Sequence, residues 1–346
     1  MARYIILGAG AVGGTLGGRL ALAGCEVVLV ARGDHLETLR ERGLRLRTPD
    51  EDVTQQLTAI SGPGEVQLDV DDILIVATKA HQANDMLHRW TDAPVHQGGA
   101  AVGTAGEQLP IFVALNGVAG EAFAHRYFRR VYAVCVWMPV VHLAAGEVII
   151  RSTPRSGILH LGRVPSTAKD HDHVLARTAT DLVAANFDVP LPDDVMAWKY
   201  RKLISNIGNV FQALVARNGD WRPLVASAEA EARRVLDAVG IRYVSEAEEA
   251  AAREAGFTMR PVPGVSDSIG GSTWQSLQRA TGNIETDYLN GEIVMIAHQA
   301  GLEAPINQRL AMLGRRAAAS GAKPGDISAE QLADLLPVVA SVTLPQ

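Results

Sequence analysis

What the chain has little of bounds it first. Two cysteines in 346 residues, Cys25 and Cys135, cannot build a disulfide framework, and neither sits in a C-x-x-C metal spacing. That usage suits a reducing compartment, and the expectation is a cytoplasmic chain. Cationic excess is missing too: 32 Lys and Arg against 38 Asp and Glu leave a formal charge of −6, without the basic footprint of a dedicated nucleic-acid binder. Aromatic residues make up 5%, which disfavours an aromatic-rich sandwich or stacking platform. No apolar run approaches a membrane span, since the longest, Val131–Val141, is broken by Pro139. Met1-Ala2-Arg3-Tyr4 runs straight into an apolar segment, so no secretory leader is expected. What is abundant is apolar material, 47% of residues, in a length that suggests two domains.

Tyr4-Ile5-Ile6-Leu7 reads as a parallel strand buried on both faces, and Gly10–Ala23 as a helix stopped by Gly24. Glu26–Ala31 is a second apolar, β-branched run, completing a βαβ unit. Asp34 is expected to cap a short helix through Arg42, ended by Gly43. Ile73–Ala77 and Ile111–Leu115 are further buried strands running into polar residues at their C-terminal ends, where open α/β sheets bind ligands. Residues 91–110 carry no assignable element. Val131–Val136, Glu147–Ile150 and Gly157–Leu161 read as later strands, hairpin-like around Gly146 and Pro154, and Asp170–Ala185 has helical period. Beyond Pro190-Leu191-Pro192 the character changes to helix, over 193–216, 223–256, 272–281, 284–301 and 305–319, with no strand-like alternation. The expectation is an α/β domain with a doubly wound, mainly parallel sheet over residues 1–190, and an all-α domain over 191–346.

Gly8-Ala9-Gly10-Ala11-Val12-Gly13 places G-x-G-x-x-G directly between the first strand and first helix. In that position the first glycine makes the tight turn, the second admits a pyrophosphate, and the third lets helix and strand approach closely. The helix N-terminus adds unsatisfied N–H donors. A dinucleotide-binding Rossmann domain is therefore expected. The second strand ends Val30-Ala31-Arg32-Gly33, with a cation where an NAD site places an acid, which favours NADP(H) through Arg32. Asp34 close by argues mildly the other way.

At the start of the helical half, Trp198, Lys202, Asn206 and Asn209 fall along one helical stripe. Singly, Lys202 would be a solvated lysine and the asparagines caps or surface residues. Together, at a domain junction, they point to chemistry. These residues, with Thr78-Lys79-Ala80, Asn116-Gly117, Lys202-Leu203-x-x-Asn206, Ile284–Gly291 and Gly301-x-x-x-Pro305-x-Asn307 in that order, closely resemble the ketopantoate reductase (2-dehydropantoate 2-reductase) family over the full length.

The resemblance implies a Rossmann domain followed by a helical domain of the 6-phosphogluconate-dehydrogenase type. It implies NADPH/NADP as cofactor and a small-molecule 2-oxo acid as substrate, with reduction of 2-dehydropantoate to pantoate in pantothenate biosynthesis as the reaction. A homodimer is allowed; nucleic-acid and membrane partners are not expected. By motif, Lys202 corresponds to the general acid, and Lys79 and Asn116 to residues near nicotinamide and substrate. Asn206, Ser272 and Glu285 correspond to substrate-binding positions, with Glu285 also beside the cofactor. An ammonium group near a ketone oxygen stabilises the negative charge that builds there and donates the proton. Two departures bear on the substrate. The family's second asparagine position is Val210 here, with Asn209 one residue earlier as a candidate replacement, and Asn-Gly-x-Gly becomes Asn116-Gly117-Val118-Ala119. Lys199 is a second lysine nearby, but only Lys202 has the Leu203 and Asn206 context. Ser272 could cap a helix, contact a ligand, or both. Asp170-His171-Asp172-His173 looks metal-like but reads better as a solvated helix start, and no metal site is expected. Alternatives are another 2-oxo acid or opine-type dehydrogenase on this plan, or a non-catalytic NADPH-binding sensor.

Overall fold

The run Arg3–Leu7 forms strand β1, and its alternation feeds two separate cores. Tyr4 and Ile6 pack with Leu16 and Leu20, while Ile5 and Leu7 pack with Leu87 and Trp90. Each fully buried aliphatic side chain of this kind is worth about 1.5–3 kcal/mol. The other strands of the main sheet are β2 (Glu26–Val30), β3 (Thr58–Ile60), β4 (Ile73–Val76), β5 (Pro110–Val113), β6 (Arg130–Trp137) and β7 (Ile158–Val164). Their order is β7-β6-β5-β4-β1-β2-β3, every neighbouring pair parallel except β6 with β7. Strands one to six thus follow the doubly wound order that reverses between β1 and β4, with an antiparallel edge strand added. The computed structural model describes residues 2–166, 172–216, 220–266, 270–280 and 282–337.

By compactness the chain divides into two units, Met1–Arg201 with Tyr243–Asp267, and Lys202–Arg242 with Ser268–Gln346. The first contains the main sheet and helices α1 (Ala11–Leu22), α2 (Gly33–Arg42), α3 (Ala80–Thr91), α4 (Ala119–Ala124) and α5 (His173–Ala184). A second sheet, ordered Val140–Val141, Glu147–Ile150, Leu44–Arg47, Asp52–Gln55, lies on α1. This explains the glycine content of α1. A Cβ at Gly14 would meet Val148 of this sheet at 2.8 Å, and one at Gly18 would meet Leu46 at 2.7 Å.

Several sequence readings change. Residues 91–110 are structured: Pro94–Gln97 pairs with Leu68–Asp69 and Ala100–Thr104, and one helical turn follows over Ala105–Gln108, closed by a Thr104–Glu107 capping box. These strands are short and half polar, so alternation does not reveal them. Helix α2 begins at Gly33 with Arg32 at the N-cap, so Asp34 is not the cap but lies in the first turn, facing the favourable end of the dipole. Asp170 and His171 lie outside the described residues. Asp172 caps α5 by accepting from Leu175 N–H at 3.0 Å and also takes the Tyr132 hydroxyl at 2.9 Å.

Helix α6 (Val195–Asn206) is followed by α7 (Asn209–Leu214) and α8 (Arg222–Ala238). The expected single helix over 223–256 is two. Gly240 and Ile241 N–H close the end of α8 on Asp237 and Leu236, and a Ser245–Glu248 capping box starts α9 (Glu246–Gly256). Helix α9 belongs with the first unit: Glu249 pairs with Arg201, and Arg253 lies 4.8 Å from the Trp137 ring centroid. After it, Phe257–Met259 is a strand pairing antiparallel with Ser152–Pro154, against the expectation of helix alone. Its three residues are stabilised by a partner remote in sequence rather than by any pattern of their own.

In the second unit, α10 (Ser272–Gln278), α11 (Asn290–Gln299), α12 (Pro305–Ser320) and α13 (Ala329–Leu335) follow, the last absent from the sequence reading. Glu285–Tyr288 is a 3-10 turn rather than the start of a helix through 301. Helix α12 opens on Pro305 without a cap of its own. Glu231 of α8 supplies one, accepting from Ile306 N–H at 3.1 Å and from Asn307 N–H at 2.8 Å. The Asn307 side chain also donates to Glu231 at 2.9 Å and to Ala228 O at 3.0 Å, and accepts from Asn290 at 3.1 Å. The Asn290 and Pro305-x-Asn307 motifs are therefore architectural, holding three helices together.

Candidate active site

In the first unit the candidate residues sit just past the C-terminal ends of four adjacent strands: Gly8–Gly13 after β1, Arg32 after β2, Lys79 after β4 and Asn116 after β5. Gly8 has φ +105, a conformation that needs glycine, and a Cβ there would meet Thr78 at 2.8 Å. Gly13 is required by proximity, because a Cβ would overlap the Gly8 carbonyl oxygen. Gly10 differs: a Cβ on it would meet nothing within 4 Å among the described residues. Gly10 is the N-cap of α1, no side chain caps that helix, and its first turn carries no acid, leaving Ala11 and Val12 at the open end. Gly8 and Ala9 N–H both donate to Val30 O, at 3.2 and 2.9 Å, which ties the loop to β2. The cradle thus has donors, space and no competing carboxylate, and it fits a pyrophosphate.

Arg32 is exposed, and among the described residues its side chain makes no hydrogen bond or ion pair, only its carbonyl accepting from Leu36 N–H in α2. Lys79 is half-buried at the N-cap of α3, and Asn116 is half-buried ahead of Gly117. The buried hydroxyl of Thr78, beside Gly8, has no partner among the described residues. Reading by motif noted Thr78 without giving it a role.

Lys199, the competing lysine, is occupied. Its Nζ donates to Glu121 Oε1, and each residue is 3% exposed. Burial holds the Glu121 carboxyl above its ordinary range, with the Lys199 charge opposing. The Lys199 ammonium is thus committed to Glu121 in the interior of the first unit.

In the second unit, Lys202 and Asn206 occupy the last turns of α6, four apart and on one face. Both are half-buried, and the Asn206 side-chain nitrogen is buried with no hydrogen-bond partner among the described residues. A donor left in that state fits a ligand acceptor. The helix is interrupted at Ile207-Gly208, so Asn209 stands at the start of α7 rather than on α6 with Lys202 and Asn206. Helix α7 packs on α10, bringing Asn209 near Ser272, and Gln212 accepts from Gly271 N–H at 2.9 Å. Ser272 is not the cap of α10; Gly271 is, and no side chain caps it. Gln212 was not singled out because an isolated helical glutamine carries no sequence signal. Glu285 is buried, 4% exposed, at the head of its 3-10 turn. Burial lowers the pKa of half-buried Arg279, and the Glu285 charge opposes that shift. Among the described residues no group of His, Cys, Asp and Glu is arranged to hold a metal ion, and no helix is long and apolar enough to cross a membrane.

The sequence matches the family described as ketopantoate reductase PanE/ApbA over residues 4–166, and its C-terminal counterpart over residues 194–317. A 2-dehydropantoate 2-reductase of Mesorhizobium japonicum is 27% identical over 262 residues, covering 70% of this chain and 78% of that protein. A crystal structure of a PanE/ApbA family ketopantoate reductase from Ralstonia eutropha superposes with a TM-score of 0.73 at 25% identity, over 92% of this chain and 99% of that one. D-mandelate dehydrogenase with NADH and anilino(oxo)acetate has the same fold, at TM-score 0.73 and 21% identity over 92% of this chain and 99% of that one. With both halves of the family pattern spanning most of its length, the chain belongs to the ketopantoate reductase family of oxidoreductases.

Proposed function

We propose that the protein reduces a small 2-oxo acid to the 2-hydroxy acid with NADPH, 2-dehydropantoate giving pantoate being the reaction that best fits its motifs. The observation that carries the reading is the open α1 N-terminus behind Gly8–Gly13, with an unpaired Arg32 at the end of the next strand. Gly10, Ala11 and Val12 would hold the pyrophosphate by backbone N–H groups, and Arg32 the 2′-phosphate through its planar donor fork. Lys79 and Asn116, at the ends of β4 and β5, would flank the nicotinamide. When bound, the reduced nicotinamide supplies the electron pair that reduces the carbonyl carbon. Lys202 donates the proton to the carbonyl oxygen as negative charge builds there. Asn206, with its buried donor, would fix the substrate without adding charge, and Asn209, Ser272 and Glu285 would add further polar contacts to it.

A second reading keeps this chemistry and changes the acid. Val210 and Ala119, in place of residues common in the family, alter positions next to the proposed substrate contacts. The test is NADPH oxidation against a panel of 2-oxo acids including 2-dehydropantoate. Lys202→Ala is expected to lower kcat about 10²–10⁴-fold with NADPH affinity little changed. Full turnover in that variant would remove Lys202 from the mechanism.

A further inference from the structure

The glycine loop is held from outside by a side chain that no motif includes. His35, in the first turn of α2, lies with Nε2 2.8 Å from the Ala9 carbonyl oxygen, and the Gly146 N–H donates to its Nδ1 at 2.9 Å. Because Nδ1 accepts, it carries no proton. The network therefore assigns the proton to Nε2, which donates to Ala9. Ala9 is 2% exposed, and its own N–H is already fixed on Val30 O. A planar trans peptide sets C=O and the following N–H in opposite directions. Fixing the Ala9 carbonyl on His35 therefore points the Gly10 N–H away from His35, at the one glycine of the loop with open space beside it.

We propose that His35 is a positioning residue for the dinucleotide phosphates, aiming the Gly10 amide by holding the Ala9 carbonyl, and that it is seated between Ala9 and Gly146 for this task only as neutral imidazole. The proposal rests on the reading of Gly8–Gly13 as a dinucleotide loop. Protonating Nδ1 leaves the Nε2–H donor in place but sets two donors against each other at Gly146, which pushes the ring off its seat between Gly146 and Ala9 and so slackens the hold on the Ala9 carbonyl. Among the elements packed on His35, the glycine loop has no titratable group. The hairpin contributes His142, whose ring centroid lies 4.5 Å away, and Glu147, which pairs with Arg45 at 3.2 Å; α2 itself contributes Asp34 beside it in sequence. Burial holds the His35 pKa below the ordinary imidazole range and His142 pushes it the same way, the Ala9 carbonyl opposing both.

The experiment is a fluorescence titration of NADPH onto wild-type protein, His35→Phe and His35→Gln between pH 5 and 8. At pH 8, His35→Phe should bind roughly three- to tenfold more weakly, as loss of one to two neutral hydrogen bonds implies. That ratio should close towards one as pH falls and the wild-type imidazole protonates. Titration of the 2′-phosphate affects both proteins and cancels in the ratio. His35→Gln retains a donor for Ala9 and should recover part of the affinity without a pH-dependent loss of its own. Equal affinity at pH 8, or a ratio constant with pH, overturns the proposal while leaving the cofactor reading intact. Failure of the wild-type chain to bind NADPH or NADH overturns the cofactor reading and the proposal with it. Should His35→Phe not fold, the ratio of wild type to His35→Gln across the same range tests the same pH dependence.

Discussion

Cutting the Lys199–Glu121 pair offers a quantitative test of the first unit. Both residues lie in the interior at 3% exposure, and Glu121 Oε2 has no hydrogen-bond partner among the described residues, so little else compensates either charge. Lys199→Met strands a carboxylate, and Glu121→Leu strands an ammonium. Each should cost about 3–5 kcal/mol at pH 8, as when one partner of a buried pair is removed. The double variant replaces the pair with apolar volume and should lie within about 2 kcal/mol of wild type, giving a coupling of about 3 kcal/mol or more. The single variant also has a pH signature. Burial already raises the Glu121 pKa above the ordinary carboxylate range, and loss of the opposing Lys199 charge raises it further. A folded carboxyl that keeps its proton more readily than the unfolded one contributes stability at low pH that is lost as pH rises. Lys199→Met should therefore lose stability above about pH 4.5 by up to ~1.4 kcal/mol per pH unit, more steeply than wild type. Urea unfolding at pH 5 and pH 8, followed by the fluorescence of Trp90, Trp137 and Trp198 in this unit, measures both effects. Additive single costs, or a Lys199→Met cost that does not grow with pH, would refute the reasoning.

Other outcomes can be checked with the same material. Arg32→Ala should weaken NADPH binding by about 10- to 100-fold, the loss of a charge-assisted pair, and leave NADH binding within about twofold; equal losses would mean Arg32 does not read the phosphate. Gly13→Ala forces a Cβ into the Gly8 carbonyl oxygen and should cost about 1–3 kcal/mol and abolish tight dinucleotide binding, seen by thermal unfolding and titration. Glu231→Ala leaves the Ile306 and Asn307 N–H groups and the Asn307 side chain without their acceptor, so a loss of about 2–4 kcal/mol is expected in urea unfolding. Glu231→Gln, which keeps an acceptor, should lose less.

The parallel sheet was legible because strands buried on both faces are continuous apolar runs, as in Ile73–Val76 and Pro110–Val113. The glycine loop was legible because its spacing, between strand and helix, is itself the geometry. Elements that depend on a remote partner were not. Phe257–Met259 is a strand only because Ser152–Pro154 lies beside it, and Pro94–Gln97 lacks the alternation that would announce it. The stripe through Trp198, Lys202 and Asn206 followed from helical period, but the interruption at Ile207-Gly208 that puts Asn209 on a separate helix did not. Asp34 looked like a cap because residue type is visible in sequence and the exact first residue of a helix is not.

By itself the chain determined what is local: periodicity, buried runs, the glycine turn, and the residue types set at the strand ends. Tertiary structure alone decided which polar groups meet. Lys199 and Glu121 are 78 residues apart, Ile306 and Glu231 are 75, and Gly146 and His35 are 111. A buried donor or charge is stable only where its partner arrives with it, and such partners are delivered by the packing of distant elements, a property that no window along the chain contains.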